Sequence, residues 1–376
     1  MKAKHWKSMI GVVAALGLVA GACGSDDDSS ADTATTEAPA ETEAPAETEA
    51  PAATDGGEGD IEGAGEGAII GLITKNNTNP FFVKMAEGAN AAAEAAGVEL
   101  RTFAGEDDSD NDAQVRAIED LISLGAAGFM ITASDTTAIV PTIERAQEAG
   151  LIVIALDTPL DPLEAADATF ATDNFRAGEL IGEWALAQVD DPDSAKIALL
   201  NINASQPTVG VLRNQGFLQG FGIDLGDSSM WGDEDDPRIV GHDVTEGSIE
   251  GGRTAMENLL ALDPDINVIY TLNEPAAAGA VLALEAAGRS SDSYVIVSVD
   301  GSCAGVQEVA DGNLGATSMQ FPLLMASLGV DAIAAGEIPP NSEGLDFFNT
   351  GVELITDTSG GPASMDSAWG LDNCWG

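Results

Sequence analysis

Basic residues are scarce in this sequence. It holds 14 Lys and Arg against 63 Asp and Glu, a formal net charge of −49 over 376 residues. So acidic a chain repels phosphate backbones and anionic headgroups, which argues against nucleic acid or a membrane surface as partner. Histidine is scarcer still, with only His5 and His242, and the three cysteines stand far apart at Cys23, Cys303 and Cys374. Zinc sites and Cys–His catalysis need such groups gathered together, so both are disfavoured. The one long apolar run, MIGVVAALGLVAGA (9–22), has 14 residues, short of the roughly 20 that span a bilayer. No GxGxxG follows a strand, since the glycines of EGAGEGAIIG precede one, and neither a P-loop nor G-x-S-x-G occurs. The expectation is therefore a chain with no cofactor and no metal.

What is present begins with the N-terminus. MKAKHWKS carries Lys2, Lys4 and Lys7 ahead of the short apolar run, the pattern of an export signal. Its end, Val19-Ala20-Gly21-Ala22-Cys23, resembles a bacterial lipobox. Residues 1–22 are thus expected to be a lipoprotein signal and Cys23 to carry lipid, placing the protein outside the cytoplasm on an anchor; an ordinary signal peptide is the alternative. Residues 23–67 repeat the unit TEAPAE and hold almost no large apolar side chains. Such a segment cannot bury enough surface to offset its chain entropy, and an extended acidic tether is expected. Cys303 and Cys374 then form an even pair in an oxidising compartment, which favours a disulfide over two buried free thiols.

From Ala68 onward, apolar strands alternate with helical segments. AIIGLIT (68–74), VELRTF (98–103), AGFMIT (127–132), LIVIALD (151–157), KIALLNI (196–202), RIVGHDV (238–244), NVIYTLN (267–273), YVIVSVD (294–300) and GATSMQ (315–320) read as strands. Helical periodicity fills most gaps, as in DNDAQVRAIEDLISLG, which closes at Gly125. Continuous apolar strands alternating with helices imply parallel sheets covered on both faces. So many strands exceed one compact sheet, so two α/β lobes are expected.

The strand ends carry the functional signal. Thr132, Asp157, Asn273, Asp300 and Gln320 each close a buried run, where open parallel sheets bind ligands. Helix capping is the competing explanation for any one of them. In NNTNPFF (76–82), Asn79 and Pro80 suit an N-cap and first helical position, but two phenylalanines at a strand mouth are not needed for a turn. An aromatic beside an amide suits a sugar ring, with Phe82 the stacking candidate and Phe81 partly core. Asp108, Asp110, Asp112 and Glu119 have the spacing of a calcium loop, but Ala113 stands where its glycine is required. A helix cap in an acidic loop accounts for them. Asp157 and Asp300 as a glycosidase pair remain an alternative, which would make the chain an exported carbohydrate-active enzyme.

The motif NNTNPFFVKMAEGANAAAEAAG, then LIVIALD, YTLNEPAAAGAVLAL, IVSVDG and ADGNLGATSMQFP, in that order, resemble the type I periplasmic sugar-binding proteins of ABC transporters, in the ribose-binding group. SVDGSCAGV, QFPLLMASLGVDAIAAG, EGLDFFNTGVELITD and the terminal CWG resemble the fructose-type subgroup. The resemblance implies two Rossmann-like lobes joined by a three-segment hinge, 68–172 with 321–346 and 173–320 with 347–376. It places Cys303 and Cys374 in one lobe. It implies Asn79, Phe81, Phe82 and Asp157 as sugar contacts from the first lobe, and Arg213, Asn273, Asp300 and Gln320 from the second and its hinge. Thr158 and Val299 replace an arginine and an aromatic of the ribose binders, and Thr132 an asparagine, which favours another small monosaccharide, with fructose first. That leaves one sugar face without an aromatic, for which Trp231 is a candidate. The implied protein is a monomer that hands its sugar to a permease and performs no catalysis; a sugar or furanose sensor for a signalling partner is the other possibility.

Overall fold

The structure, a computed structural model, describes residues 63–376. The expected signal, Cys23 and residues 23–62 of the expected tether lie outside the described residues.

The first sheet gathers β1 (Ile69–Thr74), β2 (Glu99–Ala104), β3 (Gly128–Ile131), β4 (Ile152–Leu156) and β5 (Ala168–Ala171). The second gathers β6 (Ile197–Asn201), β7 (Ile239–Val244), β8 (Val268–Thr271), β9 (Val295–Asp300) and β10 (Ala316–Met319). Two short strands complete them: β11 (Phe348–Asn349) joins the first sheet and β12 (Glu353–Ile355) the second. The orders are β11-β5-β4-β3-β1-β2 and β12-β10-β9-β8-β6-β7, parallel throughout except for the antiparallel β10–β12 pair. Central strands such as β3, β4 and β6 are buried almost along their length, which is why they read as unbroken apolar runs. The two-lobed α/β architecture expected from the sequence is the one observed.

The helices are α1 (Pro80–Ala96), α2 (Asn111–Leu124), α3 (Val140–Glu148), α4 (Asn174–Gln188), α5 (Thr208–Phe221), α6 (Ile249–Leu262), α7 (Glu274–Ala286), α8 (Cys303–Asp311), α9 (Pro322–Ala335) and α10 (Ser367–Asn373). Asn79 caps α1 by accepting from the Phe81 N–H, with Pro80 opening the helix. Asp110 caps α2 and Gly125 closes it in the left-handed conformation, so Asp110 is spent on the helix.

Three crossings join the lobes, between β5 and α4, β10 and α9, and β11 and β12. The third differs from the sequence boundary at 346/347. Phe348 and Asn349 pair with Phe170 and Ala171, so the chain stays in the first sheet through Asn349. The folded body also begins before 68: the Ala64 and Gly65 N–H groups donate to Ile333 and Ala334 O at 3.0 and 3.1 Å. Backbone pairing to α9, rather than side-chain burial, holds those residues, and an apolar pattern cannot register it.

Candidate functional site

The carboxyl ends of both sheets face one another across a small cavity of about 20 Å³. All eight residues expected from the sequence line it: Asn79, Phe81, Phe82 and Asp157 from the first lobe, and Arg213, Asn273, Asp300 and Gln320 from the second and its hinge. Capping and lining are not exclusive. Asn79 caps α1 and Asn273 caps α7 through the Ala276 N–H, and both side chains still reach the cavity wall.

Arg213 is placed by an unusually close helix pair. A Cβ on Gly178 or Gly182 of α4 would meet Arg213 O at 2.1 Å or Phe217 O at 2.3 Å. On Gly216 or Gly220 of α5 it would meet Phe175 O at 2.0 Å or Glu179 O at 2.3 Å. Only glycine permits this backbone approach, which carries the guanidinium over the cleft. There its Nε donates to Asn174 Oδ1 at 2.8 Å and Nη1 to Leu272 O at 3.0 Å. Nη2 donates to Asp157 Oδ1 at 3.3 Å and to Gln320 Oε1 at 3.0 Å, and Gln320 Nε2 donates to Asp300 Oδ1 at 2.9 Å. A hydrogen-bonded chain thus runs from Asp157 of the first lobe to Asp300 of the second.

Both aspartates sit on strained backbone, with φ of 61° at Asp157 and 152° at Asp300. Such conformations in non-glycine residues cost on the order of 1–3 kcal/mol and concentrate at functional sites. Thr158 donates to Asp157 Oδ2 at 2.8 Å, which orients the carboxylate at the point of departure from ribose binders. Beneath Asp300 lies Glu274, whose carboxylate accepts from the Gly301 and Ser302 N–H groups and the Ser302 and Thr317 hydroxyls. Burial first, and then the Glu274 charge, push the Asp300 carboxyl well above the ordinary carboxylate range.

Five further residues complete the wall: Lys75, Asp108, Ile202, Val209 and Leu272. Lys75 directly follows β1, so the strand-end rule extended to that strand would name it. Burial lowers its pKa, against the opposing pull of Asp108 and Asp157. Asp108 accepts from Asn76 Nδ2 at 2.5 Å, and burial raises its carboxyl to about 6. Ile202, Val209 and Leu272 supply the apolar wall on the second lobe, opposite the phenylalanines.

The second lobe contributes aliphatic side chains to the cavity wall, and Trp231 does not line it. It stacks on His242 with ring centroids 5.4 Å apart and an interplanar angle of 10°. Thr132 is likewise away from the cavity wall; its carbonyl accepts from Gln114 Nε2 at 2.8 Å. Val299 belongs to the core of the second lobe. Phe81 and Phe82 are almost equally buried, 3% and 4% exposed, so no division between core and site is seen.

Phe81 has a second aromatic neighbour, Trp375, at 5.5 Å and 73°. Trp375 is fixed by its indole N–H donating to Gln320 O at 2.9 Å and its carbonyl accepting from the Cys303 N–H at 2.9 Å. The Cys303–Cys374 disulfide, with Cα atoms 5.0 Å apart, ties that terminus down.

A sequence profile for the periplasmic binding protein domain matches residues 70–336. The chain belongs to that family. Within it the chain is a type I sugar-binding protein of the ribose group, an ABC-transporter component rather than an enzyme. It is 29% identical over 300 residues to a D-ribose/D-allose-binding protein of Pseudomonas aeruginosa, covering 76% of this chain and 88% of the relative. It is 29% identical over 272 residues to the ribose import binding protein RbsB of Escherichia coli, covering 71% and 85%. Among solved structures, it resembles an ABC transporter solute binding protein from Agrobacterium vitis with bound D-fucose. That match has a TM-score of 0.67 and 26% identity, covering 77% of this chain and 96% of the other. The glycosidase alternative for Asp157 and Asp300 is accordingly set aside.

Proposed function

We propose that this protein captures one monosaccharide, D-fructose first among candidates, between its lobes and presents it to an ABC-transporter permease. Lipid on Cys23 would hold it at the membrane as a monomer, with residues 23–62 as spacer. The observation that carries the proposal is the single wall formed by the eight expected residues of both lobes. Asn79, Asp157, Arg213, Asn273, Asp300 and Gln320 offer donors and acceptors to sugar hydroxyls. Phe81 and Phe82 oppose Ile202, Val209 and Leu272 across the apolar C–H faces.

Contacts from both sides favour the closed arrangement, so sugar binding and hinge closure are one equilibrium. Support for fructose comes from the SVDGSCAGV and CWG phrases and from Thr158 and Val299 in place of ribose-type residues. The relatives above carry ribose, allose or fucose in their own descriptions, and a hexose or pentose of that size fits their company. Calorimetry against fructose, ribose, xylose, mannose, glucose and inositol tests the proposal. Tight binding with sugar recovered unchanged is expected; turnover, or no binding across the panel, would overturn it.

A further inference from the structure

We propose that the segment between β6 and α5, residues 203–208, is a latch that sets how long the lobes stay closed, and that Gln206 is the positioning residue that keeps it in shape. This rests on closure around a monosaccharide as proposed above and names the part of the second lobe that governs release.

Three short side chains of this segment reach the first lobe, and each meets a main-chain carbonyl. Asn203, 1% exposed, donates from Nδ2 to Asp108 O at 2.9 Å. Thr208 Oγ1 donates to Pro159 O. Ser205 Oγ lies 3.3 Å from Ser134 O and 2.8 Å from Asn203 Oδ1, so its one proton is shared between them. Asp108, Ser134 and Pro159 stand in the loops after β2, β3 and β4. The order 203, 205, 208 along the segment therefore follows the order β2, β3, β4 across the first sheet, and the latch lies along its carboxyl edge.

Side chains this short meet their acceptors only if the backbone holds one shape. Asn203 Oδ1 accepts from the Ser205 N–H at 3.1 Å, and the Gln206 N–H donates to Asn203 O at 3.3 Å. Gln206 itself has φ of 52°, a left-handed conformation that a non-glycine residue keeps only when its surroundings impose it. The imposing contact is its own amide, which takes both main-chain groups of Trp231. Oε1 accepts from the Trp231 N–H at 3.0 Å and Nε2 donates to Trp231 O at 3.3 Å. Trp231 is backed in turn by the ring of His242, whose Nδ1 meets Asn201 Nδ2 and whose Nε2 meets Glu234, each at 3.1 Å. Neither the three donors, Gln206, Trp231 nor His242 lines the cavity. Because the acceptors are carbonyls of the first lobe, the latch bears on closure and not on which sugar is enclosed. Losing it should quicken release and leave association unchanged.

The test uses the full chain with radiolabelled D-fructose and D-ribose. A chase with unlabelled sugar gives the release rate, and calorimetry gives Kd, from which the association rate follows. Loss of one or two neutral hydrogen bonds predicts release roughly 2- to 10-fold faster in Thr208→Val and in Gln206→Ala, by the same factor for every sugar that binds. If Gln206 acts through the latch, the double variant should release sugar no faster than about the quicker single variant. Trp231→Phe, which keeps a ring on His242 and the main-chain groups that Gln206 holds, should release at the wild-type rate. Should Gln206→Ala fail to fold, Gln206→Gly suits the same backbone angle without the amide and reads the same contrast. An unchanged release rate in Thr208→Val, or factors that differ between the two sugars, would overturn the latch while leaving sugar capture in place. Effects of Thr208→Val and Gln206→Ala that multiply would overturn the role of Gln206. A wild-type chain that binds neither sugar overturns capture of these sugars and the latch with it.

Discussion

Arg213 of the second lobe donates to Asp157 of the first at 3.3 Å, with both side chains almost fully buried. The pair joins the lobes across the cavity, and under the proposed function it serves closure and binding together. Removing one partner leaves the other charge buried and alone, at a cost of about 3–5 kcal/mol. Arg213→Met should therefore lower Tm and weaken sugar binding by at least about 100-fold. Asp157→Asn in the same chain should recover part of the lost stability. A double-mutant cycle by thermal unfolding checks this; strictly additive losses would mean that the pair does not couple the lobes.

The Asp108 carboxyl sets a pH dependence. Burial raises it from 3.8 to about 6, so the folded chain keeps this proton where the unfolded chain has released it. Its contribution to stability is complete below about pH 4 and lost as pH rises through about 6, a change of about 3 kcal/mol. Asp108→Asn should remove that dependence, so the variant gains on the wild type between pH 4 and 7. Tm measured across this range for both proteins is the check. Parallel curves would contradict the assignment.

A ligand hydroxyl that donates to Asp108 is held more strongly by the ionised carboxylate than by the neutral acid. Wild-type affinity should accordingly fall as pH drops below about 6, and the Asp108→Asn affinity should stay flat. Titration calorimetry at pH 5 and 7.5 distinguishes the two.

The Cys303–Cys374 disulfide closes a loop of sequence separation 71 and fixes Trp375 against Phe81. Loop-closure entropy assigns such a bridge about 4 kcal/mol. Cys374→Ser should lower Tm by several degrees and weaken sugar binding several-fold, because Phe81 loses its edge contact. Trp375→Ala with the disulfide intact should reproduce the loss of affinity with a smaller loss of Tm. An unchanged affinity in Trp375→Ala would separate the terminus from the site.

Much of this was legible in the sequence because parallel strands buried on both faces leave long apolar runs, and the polar residue ending each run is visible. Asp157, Asn273, Asp300 and Gln320 stand out in that way. Arg213 does not: it lies inside a helix, and only the resemblance pointed to it. Its reach depends on the glycines of α4 and α5 meeting, which no local pattern declares. Ile202, Val209 and Leu272 read as core, since an aliphatic side chain facing a cavity looks like one facing a neighbour. Trp231 misled because its partner, His242, is brought to it by β7. The short strands β5, β11 and β12 owe their existence to partners elsewhere in the chain, as the Phe348–Phe170 register illustrates.

The central claim is that one monosaccharide is held by both lobes at once. Calorimetry with the tightest-binding sugar, repeated on Asp157→Ala from the first lobe and Asp300→Ala from the second, tests it most directly. The prediction is one sugar per chain, with affinity reduced at least about 100-fold in each folded variant, as expected when a buried charged hydrogen-bond partner is lost. Wild-type affinity retained in either variant would contradict capture between the lobes.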